Sequence, residues 1–272
     1  MIYNDPTLTR RVRRIAAVPS QSGTLTYSGS AQSPAWSNYD PNAMTLGGTA
    51  SGTNAGSYTA TFTPKTGYTW ADGSTAAKSV GWTIGKAAGS ITVSPSSLSL
   101  DSDTPTKTIT VTRTGTGAIS ATSSNTGIAT VSVSGNKVAV TGKAAGNATI
   151  TIKVAADANH TAAQRSVKVT MRQMVTIRIT GKGREGWIYA EISEVKYYSK
   201  ASVRVAIGTT VTCYIRGSEG SSQYVIANGT IVASSSDYES ISYRYTVVKE
   251  ASIDMYYSTS GNFSNIEITE ET

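Results

Sequence analysis

One cysteine, one histidine and two phenylalanines stand in a chain of 272 residues. The lone Cys213 excludes an internal disulfide, and with it the secreted scaffolds that staple a small core with several bridges. Its place in the alternating run Val211-Thr-Cys213-Tyr-Ile215 reads as a small buried hydrophobe rather than a reactive thiol. The lone His160 leaves a histidine-based metal site or catalytic relay without a second member, and its loop Asp157-Ala-Asn-His160-Thr reads as surface. With so little Phe, and Leu scarce, the cores must be built from Val, Ile, Ala, Tyr and Trp. No apolar run approaches membrane-spanning length, and Met1-Ile-Tyr-Asn-Asp-Pro6 lacks the apolar stretch of a secretory leader. The expectation is synthesis in a cytoplasm without export by the usual route.

Catalytic patterns are as scarce as the residues that would serve them. Thr66-Gly67 and Gly181-Lys-Gly183 are turns in β context, not phosphate loops opening a helix. Asp101 and Asp103 fall short of the oxygen ligands a calcium ion takes. Acids are too few in the first two thirds for a carboxylate dyad, and in the last third they are spread along strands. The Asn-x-Ser/Thr triplets at Asn147, Asn159, Asn228 and Asn262 read as by-products of a Ser- and Thr-rich chain. No catalytic residue, metal ligand or cofactor is expected, and the chain reads as a non-enzyme.

What is present is strand. Thr, Ser and Gly abound, and no segment sustains helical periodicity, so the fold class is all-β. The length suits two or three small domains. The net charge of +7 is uneven: +3 over residues 1–14, +1 over 15–86, +5 over 87–173 and −2 over 174–272.

Residues 1–20 read as a basic N-terminal arm around Arg10, Arg11, Arg13 and Arg14. Closely spaced guanidiniums repel, so the arm is expected to stay extended until it meets an acidic partner. It is read either as a solvated terminus or as a peptide that anchors on a neighbouring subunit. Nucleic acid is not expected as the partner, since neither a stacking platform nor a reading helix accompanies the arginines.

Residues 21–86 carry short strands punctuated by glycine turns: Leu25-Thr-Tyr27-Ser-Gly29, Ala55-Gly-Ser-Tyr58-Thr-Ala-Thr-Phe62, Gly67-Tyr-Thr-Trp70-Ala-Asp-Gly73 and Gly81-Trp-Thr-Ile84. Gly-x-Tyr opening a strand is also how a tyrosine corner begins, its hydroxyl closing a backbone hydrogen bond. These motifs, with the terminal Trp82-Thr-Ile-x-Lys86, resemble a bacterial immunoglobulin-like repeat of multidomain surface and bacteriophage proteins. Trp36, Trp70 and Trp82 read first as core fillers and second as a sugar-stacking platform. Trp70, beside Asp72-Gly73, is the one expected to be exposed, and it is the candidate glycan contact here.

Residues 87–173 follow a short junction at Lys86-Ala-Ala-Gly89 that leaves little play between modules. Val131 and Val133 alternate with polar residues, Gly135-Asn136 breaks the run, and Val138 and Val140 resume it, which predicts a hairpin. The succession Ile91-Thr-Val-Ser-Pro95, Ile109-Thr-Val111, Ser124-Asn-Thr-Gly-Ile-Ala-Thr-Val131 and Gly146-Asn-Ala-Thr-Ile150-Thr-Ile152 resembles the group 2 bacterial immunoglobulin-like family over nearly the whole module.

Residues 174–272 form a third β unit. Asn228-Gly229 predicts a two-residue hairpin joining Gln223–Ala227 to Thr230–Ala233. Ile241, Tyr243, Tyr245 and Val247 share a face, and Ile253, Met255 and Tyr257 follow. The pattern resembles small β domains at the C-terminal ends of phage virion proteins. Tyr197-Tyr198 and Tyr256-Tyr257 each place one ring on either face of a strand, and Tyr198 and Tyr257 are the candidate glycan or partner contacts.

Together the resemblances imply tandem immunoglobulin-like β-sandwiches plus a C-terminal β domain in a bacteriophage virion protein. It would be made in the host bacterium and displayed on the particle exterior as a capsid decoration protein or head fibre. Its expected partners are other virion proteins such as the major capsid protein, host-surface or mucosal glycans, and copies of itself, a trimer being one arrangement. No membrane partner is expected. The alternatives are a tail or baseplate protein, with tail proteins as partners, and a bacterial cell-surface adhesin.

Overall fold

The computed structural model describes residues 12–182, 187–217, 222–236, 239–257 and 263–271. Among them every regular element is a strand. Three separate hydrophobic clusters follow one another along the chain, and each lies between sheets. The chain is an all-β protein of tandem β-sandwich modules.

The first module contains β1 (Arg13–Ile15), β2 (Ser20–Ser22), β3 (Leu25–Thr26), β4 (Ala35–Ser37), β5 (Met44–Gly48), β6 (Gly56–Pro64), β7 (Tyr68–Trp70) and β8 (Lys78–Gly85). Its main sheet has the order β3-β8-β6-β5, and β1 pairs with β7 and β2 with β4. Alternation places Ala60 and Phe62 of β6, and Trp82 and Ile84 of β8, in the core. Tyr58 stacks on Trp82 with ring centroids 4.5 Å apart, and its hydroxyl donates to the Asn54 carbonyl at 2.6 Å, the bond expected of a tyrosine corner.

The basic arm is shorter than expected. Arg13, Arg14 and Ile15 form β1, parallel to β7 in the register Arg13↔Tyr68 and Ile15↔Trp70. Ile15 is the physical reason: it is apolar and buried, so the pairing removes it from water while leaving both arginines exposed. Arg10 and Arg11 lie outside the described residues.

The middle module contains β9 (Ile91–Ser94), β10 (Ser97–Asp101), β11 (Thr106–Arg113), β12 (Ile119–Ser123), β13 (Ala129–Ser134), β14 (Lys137–Gly142), β15 (Gly146–Val154) and β16 (Ala163–Arg172). Sheets β10-β16-β15-β12 and β13-β14-β11-β9 enclose Leu100, Ile109, Val138, Val140, Ile150 and Ile152. The hairpin read at Gly135-Asn136 joins β13 to β14, with Gly135 at φ 56°.

The third module contains β17 (Met174–Lys182), β18 (Ile188–Ile192), β19 (Val195–Tyr197), β20 (Ala201–Ala206), β21 (Thr210–Ile215), β22 (Ser222–Ala227), β23 (Thr230–Ser236), β24 (Ile241–Thr246), β25 (Ala251–Tyr256) and β26 (Phe263–Glu270). A six-stranded sheet, β20-β17-β25-β26-β22-β23, faces a four-stranded one, β19-β18-β21-β24. Asn228 and Gly229 both have positive φ, 46° and 77°, as a two-residue hairpin turn requires.

Two junctions hold the modules in line. At the first, Ala87 N donates to the Asn159 carbonyl and Thr161 N donates to the Ala87 carbonyl, both at 2.9 Å. Asn159 Oδ1 accepts from Ala55 N at 2.9 Å, its Nδ2 donates to Asn54 Oδ1 at 3.1 Å, and Lys86 Nζ donates to the Asp157 carbonyl at 2.6 Å. His160 is therefore not a free surface residue: it is half-buried here, edge-on to Tyr27 at 5.3 Å, with Nδ1 3.2 Å from Asp157 Oδ1. At the second junction only Gln173 separates β16 from β17. Met174 N donates to Ser102 Oγ at 3.0 Å, and Arg204 Nε donates to Asp103 Oδ2 at 3.1 Å, with a second Arg204 nitrogen on Asp103 Oδ1. Leu98 and Asp101 of β10 run parallel to Val169 and Arg172 of β16. The Asp101–Asp103 turn therefore lies at the opposite end of β16 from the Asp157–Thr161 loop, and the neighbouring modules attach at opposite ends of the middle one.

Candidate functional site

Trp70 is not a surface contact. Its ring is 1% exposed, packed in the first module's core, and its Nε1 donates to the Ala76 carbonyl at 2.7 Å. The turn Asp72-Gly73 is exposed as expected, yet the strand before it sends the indole inward against β1. Trp82 is equally buried and donates to the Thr49 carbonyl at 2.7 Å, while Trp36 is half-buried edge-on to Phe62 at 4.9 Å. The three indoles fill a core and form no platform.

Acidic side chains of the first two modules are engaged in turns. Asp157 accepts from the backbone N–H groups of Thr116, Asn159 and His160 at 2.7, 2.8 and 2.7 Å. Those bonds, that from Thr116 foremost, hold its carboxyl well below the usual carboxylate range. Hydrogen bonds from Ser74 and from Lys78 do the same for Asp72, and bonds from Thr104 and Asp103 do so for Asp101. Among the described residues no three metal-binding side chains converge. Cys213 is fully buried, and desolvation pushes its thiol up to about 12, so it is inert in the folded state.

The remaining candidates, Tyr198 and Tyr257, both lie in the third module but in different places. Tyr198 follows β19 and meets Tyr189 at 5.7 Å; Tyr189 stacks on its cross-strand partner Tyr214 at 4.9 Å. A row of tyrosines thus crosses the outer face of the four-stranded sheet. Lys196 Nζ sits 4.4 Å from the Tyr189 ring centroid, and its hydrogen bond to the Tyr189 hydroxyl pushes the ammonium's pKa upward. Tyr189 is thereby covered on several sides, and this row is largely self-packed. Tyr257 lies at the end of the module farthest from the middle one, edge-on to Trp187 at 5.3 Å, and the Arg216 guanidinium stands 4.8 Å over that indole. Sequence reasoning passed over Trp187 and Arg216. The available signal was a tryptophan directly before the apolar alternation Ile188, Ala190, Ile192.

The six-stranded sheet carries a second outer face. Tyr256 of β25, Asn265 of β26 and Tyr224 of β22 are side-by-side partners in one row. Asp254, Glu267 and Ile226 form the adjacent row, and Ile226 continues to Ile231 on β23. Alternation turns all of these away from the core, where Ile253, Met255, Ile266 and Val225 are buried. Tyr256 is 49% exposed. Thr180 donates to Asp254 Oδ1 from the neighbouring β17.

No known protein family matches the chain, and neither does any curated protein. Among solved structures it is similar to a protocadherin gammaB7 EC3-6 cis-dimer, at 10% identity and TM-score 0.29 over 92% of this chain and 76% of that one. It is similar to the I-band fragment I67-I69 of titin, at 10% identity and TM-score 0.28 over 86% of this chain and 99% of that one. It is also similar to the three N-terminal domains of the highly immunogenic outer capsid protein of bacteriophage RB49, at 10% identity and TM-score 0.28 over 95% of this chain and 99% of that one.

Proposed function

We propose that this chain is a non-enzymatic bacteriophage structural protein, displayed on the virion exterior as a capsid decoration protein or head fibre. Its task is to hold a terminal module out from the particle towards host-surface or mucosal glycans. The observation that carries this reading is the pair of junctions at opposite ends of the middle module. Each is held by side-chain and backbone hydrogen bonds rather than by a tether. Short, bonded connections of this kind make a semi-rigid spacer, in contrast to a flexible linker that would let the modules collapse on one another. The immunoglobulin-like motifs of the first two modules, of a type found in surface and bacteriophage proteins, point the same way.

The acids of the first two modules support a non-catalytic role, because Asp72, Asp101 and Asp157 cap turns and are held ionised by that geometry. A general acid needs the opposite environment, one that keeps its proton near neutral pH. Attachment falls to the first module's end of the chain, where Arg13 and Arg14 remain exposed on β1 and suit an acidic capsid surface. The test is a cryo-EM reconstruction of the particles that carry this chain. Density at regular sites on the capsid lattice, with the first module innermost, is the expected result. Density confined to the tail, or none on the particle, would sink the proposal.

A further inference from the structure

We infer that the outer face of the sheet β10-β16-β15-β12 in the middle module binds an acidic polysaccharide, one whose sugars carry carboxylate or sulfate groups, with Lys153 and Lys168 holding those anions. This deepens the display reading by naming a site and a ligand class, and it rests on that reading only for its biological setting.

Alternation turns every second residue of these strands outward, and the register lines those residues up in rows. Lys153 stands between Ser120 and Gln164 in one row, and Lys168 stands between Thr149 and Ser97 in another. Both lysines are exposed. The row between them and the row after Lys168 carry only hydroxyls and one amide, that of Asn147. Lys168 lies four residues along β16 from the position opposite Lys153, so the two cations stand about 14 Å apart. Each borders an open depression, of about 440 Å³ at Lys153 and about 420 Å³ at Lys168. The Thr170 hydroxyl donates to Asn147 Oδ1 at 2.8 Å, which leaves the Asn147 Nδ2 as a donor beside Lys168.

The charges of this module are sorted by position. Its three acids sit at its two ends. Asp157 is turned into its own loop by the amides of Thr116, Asn159 and His160, Asp101 accepts from Thr104, and Asp103 is paired with Arg204. Among the described residues no ion pair involves Lys153 or Lys168. Asp101 does lie across from Arg172, about 14 Å beyond Lys168, so that arginine is left out of the site. Lys107 Nζ reaches the Ser99 carbonyl at 2.7 Å and adds positive charge at the β10 edge, and Arg165 is exposed next to Gln164. The face is therefore net positive, and it attracts a polyanion in a salt-dependent way.

Other anionic partners fit this face less well. Duplex DNA carries a charge about every 1.7 Å along its axis, far denser than two lysines about 14 Å apart. The four strands also contain no aromatic residue on which a base could stack. Protein interfaces are enriched in aromatic residues and arginine and depleted in lysine and serine, the reverse of what stands here. An acidic polysaccharide matches both features: its hydroxyls meet the Thr, Ser, Asn and Gln side chains, and its widely spaced anions meet the lysines through charge-assisted bonds.

The test is retention of the purified full chain on immobilised hyaluronan, alginate and dextran sulfate, with neutral dextran and duplex DNA alongside. The expected result is retention at low salt on at least one of the three acidic polymers and none on dextran. Hyaluronan and alginate against dextran sulfate separate carboxylate from sulfate recognition. Binding should weaken at least tenfold in Lys153→Gln and in Lys168→Gln, be kept in Lys168→Arg, and be unchanged in Lys137→Gln, which removes one charge from the outer face of the opposite sheet. No retention on any acidic polymer would overturn the inference. An equal loss in Lys137→Gln would overturn it by reducing the effect to net charge, and tighter binding to DNA would do so by making this a nucleic-acid face. Failure of the display reading looks different: the chain would be missing from particles while polysaccharide retention and its lysine dependence persisted.

Discussion

Replacing Trp70 by alanine discriminates between a core role and a surface role for the residue that the sequence singled out. The indole is fully packed, and truncating a buried Trp to Ala costs about 3–5 kcal/mol through lost transfer energy and the cavity left behind. A domain of about 70 residues has roughly 4–10 kcal/mol of total stability, so the substitution removes a large share of what holds the first module folded. Trp70→Phe separates the two contributions. It keeps most of the ring and orphans the Ala76 carbonyl, at a cost of about 1–3 kcal/mol. Urea denaturation followed by tryptophan fluorescence is the assay. Trp36 and Trp82 report on this module, Trp187 on the third, and the middle module is silent because it has no tryptophan. Trp70→Ala should lower the first-module midpoint by at least about 1 M urea and leave the Trp187 transition in place. An unchanged first-module midpoint would refute the packing argument and return the indole to the surface.

Other expectations follow from the junctions, the corner and the buried thiol. Tyr58→Phe deletes the bond to the Asn54 carbonyl and should destabilise the first module by about 0.5–1.5 kcal/mol, read from the same urea transition. Asp157 has its folded pKa depressed, so the stabilisation it contributes is complete above its unfolded value and is lost as pH falls through the folded one. Protection of the Thr116, Asn159 and His160 amides relative to their intrinsic exchange rates should therefore persist at neutral pH and fall only well below about pH 4, whereas Asp157→Asn should reduce it at both. Cys213 should resist thiol reagents at pH 8 in the folded chain and react on unfolding, which makes its labelling rate a reporter of the third module's opening.

Much of the strand pattern could be read from period-two alternation, because the buried positions of β14, β15, β21 and β25 are uninterrupted Val, Ile, Ala, Cys or Met, with Gly142 at the end of β14. The Asn228-Gly229 turn was legible for a local reason, since both residues tolerate positive φ. Two misreadings have a single cause. Sequence alone extends the arm through Ile15 and puts Trp70 in solvent, because the pairing of β1 with β7 joins segments far apart in sequence and no local pattern announces it. That pairing gives a two-sided role to three residues that look like the end of a charged tail. His160 reads as surface for a related reason: loop composition indicates a surface, but not whether a neighbouring module covers that surface. The faces of the third module were partly visible. Adjacent tyrosines had to point both ways, as Tyr197 and Tyr198 do, one against the core and one against Tyr189. Which outward rings are packed against each other, as Tyr189 is on Tyr214, depends on cross-strand register, which no local pattern carries.

The single residue between β16 and β17 acts as a phase setting. Gln173 is extended enough to pass one strand almost directly into the next, and its carbonyl is held by Ile207 N at 2.9 Å. Successive residues of extended chain face opposite ways, so the number of residues between the two strands fixes the azimuth of the last module about the long axis of the one before it. One added residue would turn the Tyr256 face towards the opposite side, and a second would bring it back near its original heading. The length of this one-residue connection thus decides which way the outer faces of the third module point relative to the middle one.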